Sequence, residues 1–200
     1  MTVAELGKTT NILMAGVGGQ GTILASELLS HVLMESGYEV KKSEVHGMSQ
    51  RGGRVVSHVR FGTKVYSPLI VKGEVDYLVG FELAETLRSL EWLGQEAKIL
   101  TDRKAILPFT SLSGQAPYPF DTIDILRERG FDLTVVDGDG LAGRAGEPKT
   151  ANVVLMGALA RFLPIDKKIW EDAIARNMPD KFVAVNLKAL EMGYSAVNGA

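Results

Sequence analysis

The sequence predicts a three-layer α/β/α domain on a mixed, mainly parallel sheet, with a helical C-terminal part. Three observations predict it. Short apolar runs bounded by glycine recur along the chain, as buried strands do. Stretches with a helical apolar period lie between them. Residues 54–61 alternate strictly, adding a strand that a pure strand–helix–strand repeat does not contain.

In order, residues 11–17 (NILMAGV) form the first expected strand. Residues 22–35 form the first helix, with Ile23, Leu24, Leu28, Val32 and Met34 as its apolar stripe and Gly37 as its stop. Residues 38–45 read as a second strand. Residues 54–61 place Val55, Ser57, Val59 and Phe61 on one face and Arg54, Val56, His58 and Arg60 on the other. Gly62-Thr63 reads as a hairpin turn into a short strand at 64–66, which Ser67-Pro68 ends. Residues 75–81 (VDYLVGF) read as a strand, 82–93 as a helix and 98–100 as a short strand. Residues 106–119 hold three of the seven prolines and read as a loop. A helix at 122–129, a strand at 133–136 and a glycine-rich loop at 138–147 follow. Residues 151–194 read as helical, broken near Pro164 and Pro179. No repeat, low-complexity tract or domain boundary stands out, so residues 1–200 are expected to form a single domain.

Composition narrows the chemistry. Of 200 residues, 46% are hydrophobic and 23% charged, which suits a globular chain with a real core. A net charge of −2 argues against nucleic-acid binding through bulk charge. No cysteine is present, which excludes disulfides, thiolate zinc sites, a cysteine nucleophile and any iron–sulfur cluster held by this chain. Three histidines leave little for a metal site. No apolar run approaches the ~18 residues of a membrane span. MTVAELGKTT lacks signal-peptide features, so a cytoplasmic location is expected.

Two segments carry candidate function. Gly16-Val17-Gly18-Gly19-Gln20-Gly21 satisfies G-x-G-x-x-G between an expected strand and helix. Glycines permit a sharp turn and close approach of a ligand, and amides at the helix N-terminus face an anion. A dinucleotide site also needs an acid about twenty residues on, for which Glu39 and Glu44 are candidates. The bland alternative is a tight turn that only packs helix on strand. The second segment, His46-Gly47-Met48-Ser49-Gln50-Arg51-Gly52-Gly53, is too polar for core and too rich in glycine for helix. Arg51 and Arg54 offer forked donors for carboxylate or phosphate. A solvated surface loop is the competing reading.

The combination of NILMAGVGGQG with SEVHGMSQRGGRVVSHVRFG and VYSPLI resembles the small, gamma-type module of the 2-oxoacid:ferredoxin oxidoreductases. The HGMSQRGG form is most similar to the beta subunit of the indolepyruvate branch, and KTANVVLMGALARFL from Lys149 also fits. The resemblance spans residues 11–194. It implies a pyruvate:ferredoxin oxidoreductase gamma-domain-like fold. It also implies a complex that oxidatively decarboxylates a 2-oxoacid with coenzyme A to an acyl-CoA, carbon dioxide and reduced ferredoxin. Thiamine diphosphate, Mg2+ and 4Fe-4S clusters are expected on a large alpha subunit, with ferredoxin met through the complex. No cofactor is expected on this chain alone, and no metal site, nucleic acid or membrane. Gly138-Asp139-Gly140 mimics the start of a thiamine diphosphate–metal motif, but no Asn-Asn pair follows, so it reads as a loop. The expected coenzyme A contacts are Gly16, Gly18, Gly19, Gln20, Gly21, His46, Ser49, Gln50, Arg51, Gly52 and Gly53; no catalytic residue is assigned. Two alternatives stay open: a free-standing NAD(P)-binding oxidoreductase, and an interaction module that touches no small ligand.

Other residues have plainer readings. His58 reads as a hydrogen-bonded structural histidine, His46 as a loop-positioning group and His31 as part of a helix stripe. Lys41 and Lys42 read as a solvated strand face, residues 67–70 as an apolar plug, and Asn152 as a helix cap.

Overall fold

The computed structural model describes residues 9–47 and 52–197. Six strands form one sheet: β1 (Thr10–Val17), β2 (Glu39–His46), β3 (Arg54–Gly62), β4 (Val75–Gly80), β5 (Leu93–Asp102) and β6 (Asp132–Val136), in the order β2-β3-β1-β4-β5-β6. β1, β4, β5 and β6 pair in parallel. β3 runs antiparallel between β1 and β2. The sheet is therefore mixed with a parallel half, as the strand pattern predicts.

Eight helices complete the described residues: α1 (Thr22–Glu35), α2 (Leu83–Arg88), α3 (Phe109–Leu112), α4 (Thr122–Glu128), α5 (Gly138–Ala145), α6 (Ala151–Ala160), α7 (Lys167–Asn177) and α8 (Asp180–Ala196). Strand alternation sorts the layers. Ile12, Met14, Val59, Phe61 and Leu100 face a thick layer of α1, α5, α6, α7 and α8. Leu13, Ala15, Val56, Leu78 and Ile99 face a thinner one that includes Leu126 of α4 and the 3-10 turn Leu90–Trp92.

α6 is buried along almost its whole length, which explains its apolar sequence on all sides: the sheet covers one face and α8 the other. The two helices touch backbone to backbone. A Cβ on Gly157 would fall 2.1 Å from the Leu190 carbonyl oxygen, and one on Gly193 would fall 1.9 Å from that of Val154. Helix breaks fall near both expected prolines, with Pro179 immediately before α8.

Several expectations are corrected. Residues 138–147 are not a loop, because Asp137 caps Gly140 N–H at 3.1 Å and Leu141, Ala142 and Ala145 give α5 a buried face. Residues 64–66 add no strand. Arg60 Nη1 instead takes the carbonyls of Ser67 (3.1 Å) and Leu69 (2.9 Å), so side-chain donors replace the ladder. The helix expected over 82–93 stops at Arg88, since β5 already begins at Leu93. The loop at 106–119 contains the single turn α3. The expected stripe of α1 is half right: Leu28 and Val32 are buried, but Ile23, Leu24 and Met34 are exposed, and Leu29 and Leu33 join the small residues Thr22, Ala25 and Ser26 on the buried face.

Gly157→Ala should lower stability by about 2–3 kcal/mol, or roughly 4–12 °C in Tm, because neither backbone can withdraw. Gly143→Ala, with no atom within 4 Å of the new Cβ, should raise it by about 0.5–1 kcal/mol. Thermal unfolding of both variants checks the pair, and a neutral Gly157→Ala would contradict the close crossing.

Candidate functional site

The strands β1, β4 and β5 end along one rim, and the chain leaves β1 and β4 toward opposite sides of the sheet there. Turns that diverge at such a switch point leave a crevice, which is where open α/β sheets bind ligands. A cleft of about 780 Å³ opens at this rim, between residues 18–21, Phe81, Asp102, Lys104, Lys149 and Asn152.

Side chains brace the glycine turn. Gln20 Oε1 accepts from Val17 N–H at 2.8 Å while its Nε2 donates to the Phe81 carbonyl at 2.6 Å, tying the end of β1 to the end of β4. A Cβ on Gly16 would lie 2.9 Å from Phe81 Cβ and from Thr22 Oγ1, so this position admits only glycine. Gly21 precedes α1 at φ 76°, and its carbonyl accepts from Asn152 Nδ2 at 3.3 Å. The N-cap of α1 is Gly21, and no side chain among the described residues caps the helix, which leaves its first-turn amides to solvent or a ligand. Gly19, at φ 103°, has open space where a Cβ would stand.

The second turn meets the first. Gly18 N–H donates to the Gly53 carbonyl at 2.8 Å, and Gly52 N–H approaches the Gly18 carbonyl at 3.4 Å. Antiparallel pairing of Val17 with Arg54 produces this meeting by setting the two strand ends level. Of the residues expected at the site, Gly16, Gly18, Gly19, Gln20, Gly21, Gly52 and Gly53 gather at one rim. His46 closes β2 opposite Val55. Ser49, Gln50 and Arg51 lie outside the described residues. Arg54 is already engaged, with Nε 3.0 Å from buried Glu85 Oε2.

The dinucleotide acid does not materialise. β3 stands between β1 and β2, so Glu44 lies two strands from the glycine turn, roughly 10 Å rather than 5 Å away. There it pairs with Lys42 at 2.8 Å and accepts from Ser26 Oγ at 3.2 Å. Glu39 is held by Lys41 and Lys64.

Residues 11–196 match the family described as pyruvate ferredoxin/flavodoxin oxidoreductase. The chain belongs to this family. An indolepyruvate oxidoreductase subunit IorB from Pyrococcus horikoshii is 38% identical over 194 residues, covering 94% of this chain and 96% of that protein. Among solved structures, the gamma subunit of a keto/oxoacid ferredoxin oxidoreductase from Geobacter sulfurreducens superposes with TM-score 0.69 at 23% identity, over 94% of this chain and 97% of that one. A 2-oxoglutarate:ferredoxin oxidoreductase from Magnetococcus marinus, solved with 2-oxoglutarate, coenzyme A and succinyl-CoA bound, gives TM-score 0.75 at 17% identity. The match covers 96% of this chain and 32% of that one, so there the module is part of a longer polypeptide. The two structural likenesses establish the fold.

Residues of this family member do not fit thiamine diphosphate or iron–sulfur clusters. The Gly138 and Gly140 amides are taken by Asp102 (3.1 Å) and Asp137 (3.1 Å), carboxylates that repel a diphosphate. No cysteine is available to hold iron. Among the described residues no three acidic or histidine side chains gather as a metal site, and no helix is long and apolar enough to cross a membrane. His58 lies against Trp92 and accepts from Ile70 N–H at Nδ1 (3.3 Å). Burial and neighbouring Arg60 push its pKa down, keeping the ring neutral.

Sequence reading missed Asp102, Lys104 and Lys149. Their signal is positional: Asp102 and Lys104 lie at and just beyond the end of a parallel strand, where ligand-edge residues stand. Asp102 is 2% exposed. Burial pushes its pKa up to about 6, helped by Asp139 and opposed by the Gly138 N–H and Lys104. Between about pH 4 and 6 the native state therefore binds more protons here than the unfolded chain, and stability falls as pH rises through that window. A shift from 3.8 to about 6 corresponds to about 3 kcal/mol. Asp102→Asn keeps an acceptor for Gly138 without the charge. It should exceed the parent by about 2–3 kcal/mol at pH 8, with the gap closing toward pH 4. Urea unfolding across that range checks this, and a pH-independent gap would refute it.

Proposed function

We propose that this chain is the small subunit of an indolepyruvate (arylpyruvate):ferredoxin oxidoreductase, and that its rim cleft receives coenzyme A. The observation that carries the reading is the hydrogen-bonded junction of the two glycine turns beside an uncapped helix N-terminus. It is supported by about 38% identity to an indolepyruvate oxidoreductase subunit over nearly the whole chain. The reaction converts a 2-oxoacid and the coenzyme A thiol to an acyl thioester, carbon dioxide and a proton, and passes two electrons to ferredoxin. A large partner subunit carries the thiamine diphosphate and iron–sulfur clusters that supply the carbon–carbon cleavage and electron transfer.

This chain's contribution is binding and exclusion of water. First-turn amides of α1 and the Lys149 ammonium attract phosphate oxygens. Gly19 lets the ligand approach the backbone. Gln20 and Asn152 fix the turn, so little ordering is required on binding. The partner closes the open side of the cleft and aligns the thiol with its own reacting centre.

In the assembled enzyme, Gly19→Val places a branched side chain on the cleft wall at a backbone angle it resists. It should raise the KM for coenzyme A at least ten-fold while turnover at saturation falls less. Steady-state kinetics measure this, and an unchanged KM would remove coenzyme A from this cleft.

A further inference from the structure

The cleft is flanked by apolar side chains that the fold leaves uncovered. On the β5 side, residues 105–120 (AILPFTSLSGQAPYPF) contain no charged residue. The segment is tied to the body near its two ends, where Glu82 accepts Ile106 N–H at 3.1 Å and the hydroxyl of buried Tyr118. Between those ties the backbone hydrogen bonds of 108–116 stay within the segment. Phe109 and Leu112, three residues apart on α3 and so on one face, are 77% and 69% exposed. Phe120 is 65% exposed, and Leu107 is exposed as well.

On the other flank, Leu24 of α1 is 61% exposed, beside exposed Ile23. Leu24 and exposed Phe182 of α8 line one hollow, and Leu24 also lines the cleft. Ile106 lines the cleft from the β5 side, so each patch reaches the cleft wall.

Area decides what can cover them. The two phenylalanines and two leucines of 107–120 present on the order of 400 Å² of apolar surface, and Ile23, Leu24 and Phe182 on the order of 250 Å². Patches of this size mark interaction sites, yet a stable interface takes about 800 Å² from each partner. Neither patch suffices alone. A body resting on both, and on the cleft rim between them, reaches that size. A second copy of this chain would set one hollow rim against another and leave the space between them unfilled.

We propose that residues 105–120 and the exposed Ile23–Leu24–Phe182 patch are one docking surface for the large partner subunit, which lies across the cleft mouth rather than beside it. The partner face opposite 105–120 is apolar and uncharged, because this segment has no charge to pair with one. The inference deepens the reading above and rests on it for the identity of the partner.

Co-expression with the large subunit, then sedimentation of the purified complex over a dilution series, tests it. Phe109→Asp and Phe182→Asp stand on opposite flanks, are exposed, and lie outside the cleft lining. Each should raise the Kd of the complex at least ten-fold, with the Tm of the free chain within about 2 °C of the parent. Leu112→Ser should do the same if Phe109→Asp fails to fold. Tyr66→Asp, 88% exposed beyond the far end of β3, should leave the Kd within two-fold. Loss of affinity from one flank only, or from neither, overturns the spanning surface. So does a dimer of the free chain that Phe109→Asp dissociates, since a second copy is then the occupant. These failures are separable from failure of the coenzyme reading, which is measured by the KM of the assembled Gly19→Val enzyme.

Discussion

The antiparallel insertion of β3 between β1 and β2 is the constraint on which the site depends. In a doubly wound sheet, β2 lies beside β1 and the glycine turn stands alone at the rim. Here the register Val17↔Arg54 sets the exit of β1 level with the entry of β3. Residues 18–21 and 52–53 therefore meet. A one-residue slip would move Val59 and Phe61 off the core face, so the large apolar layer on that side enforces the register. The same insertion displaces Glu44 and removes the ribose contact of a dinucleotide site.

Amide side chains then fix the turn from both ends. Gln20 bridges two strands whose helices depart to opposite faces, and Asn152 reaches Gly21 from α6. Each such bond contributes only about 1 kcal/mol net. Their larger effect is on geometry, because they use the groups that would otherwise compete for a ligand and leave Gly19 and the α1 amides free. The far wall is held by Glu82. One oxygen accepts from Ile106 N–H at 3.1 Å and from the Tyr118 hydroxyl, while the other accepts Glu85 N–H at 2.9 Å. Burial and this carboxylate push the Tyr118 pKa up, so the phenol remains a donor.

Most strands were legible because their buried runs are apolar and bounded by turns. β3 was legible for the opposite reason: its two faces carry different chemistry, with Val59 and Phe61 on one and His58 and Arg60 on the other. α5 was hidden because three glycines in eight residues look like a loop, and the carboxylates that cap it come from Asp137 locally and Asp102 at long range. Residues 64–66 looked like a strand but are not one, while Ile70 is the buried plug expected of 67–70; the segment is held by Arg60 and His58, contacts that require the fold. The glycine motif gave the turn. Lys104 and Lys149 bear no pattern of their own; strand order brings Lys104 to the cleft, and the turn before α6 brings Lys149.

The cleft is electrostatically one-sided, and this orients whatever enters it. Lys104 is neutralised by Asp139 at 2.8 Å. Asp102, with a pKa of about 6, is charged at neutral pH and capped on one oxygen by Gly138. The β5 side therefore presents net negative charge. The opposite side presents the α1 first-turn amides and Lys149, the positive end of a 14-residue helix beside an ammonium that no carboxylate among the described residues pairs. Such a field favours an anionic group on the β1–α1 side of the cleft and disfavours one at the β5 end. Two carboxylates and one uncapped helix thus fix a direction of approach that neither the motif nor the overall charge of the chain contains.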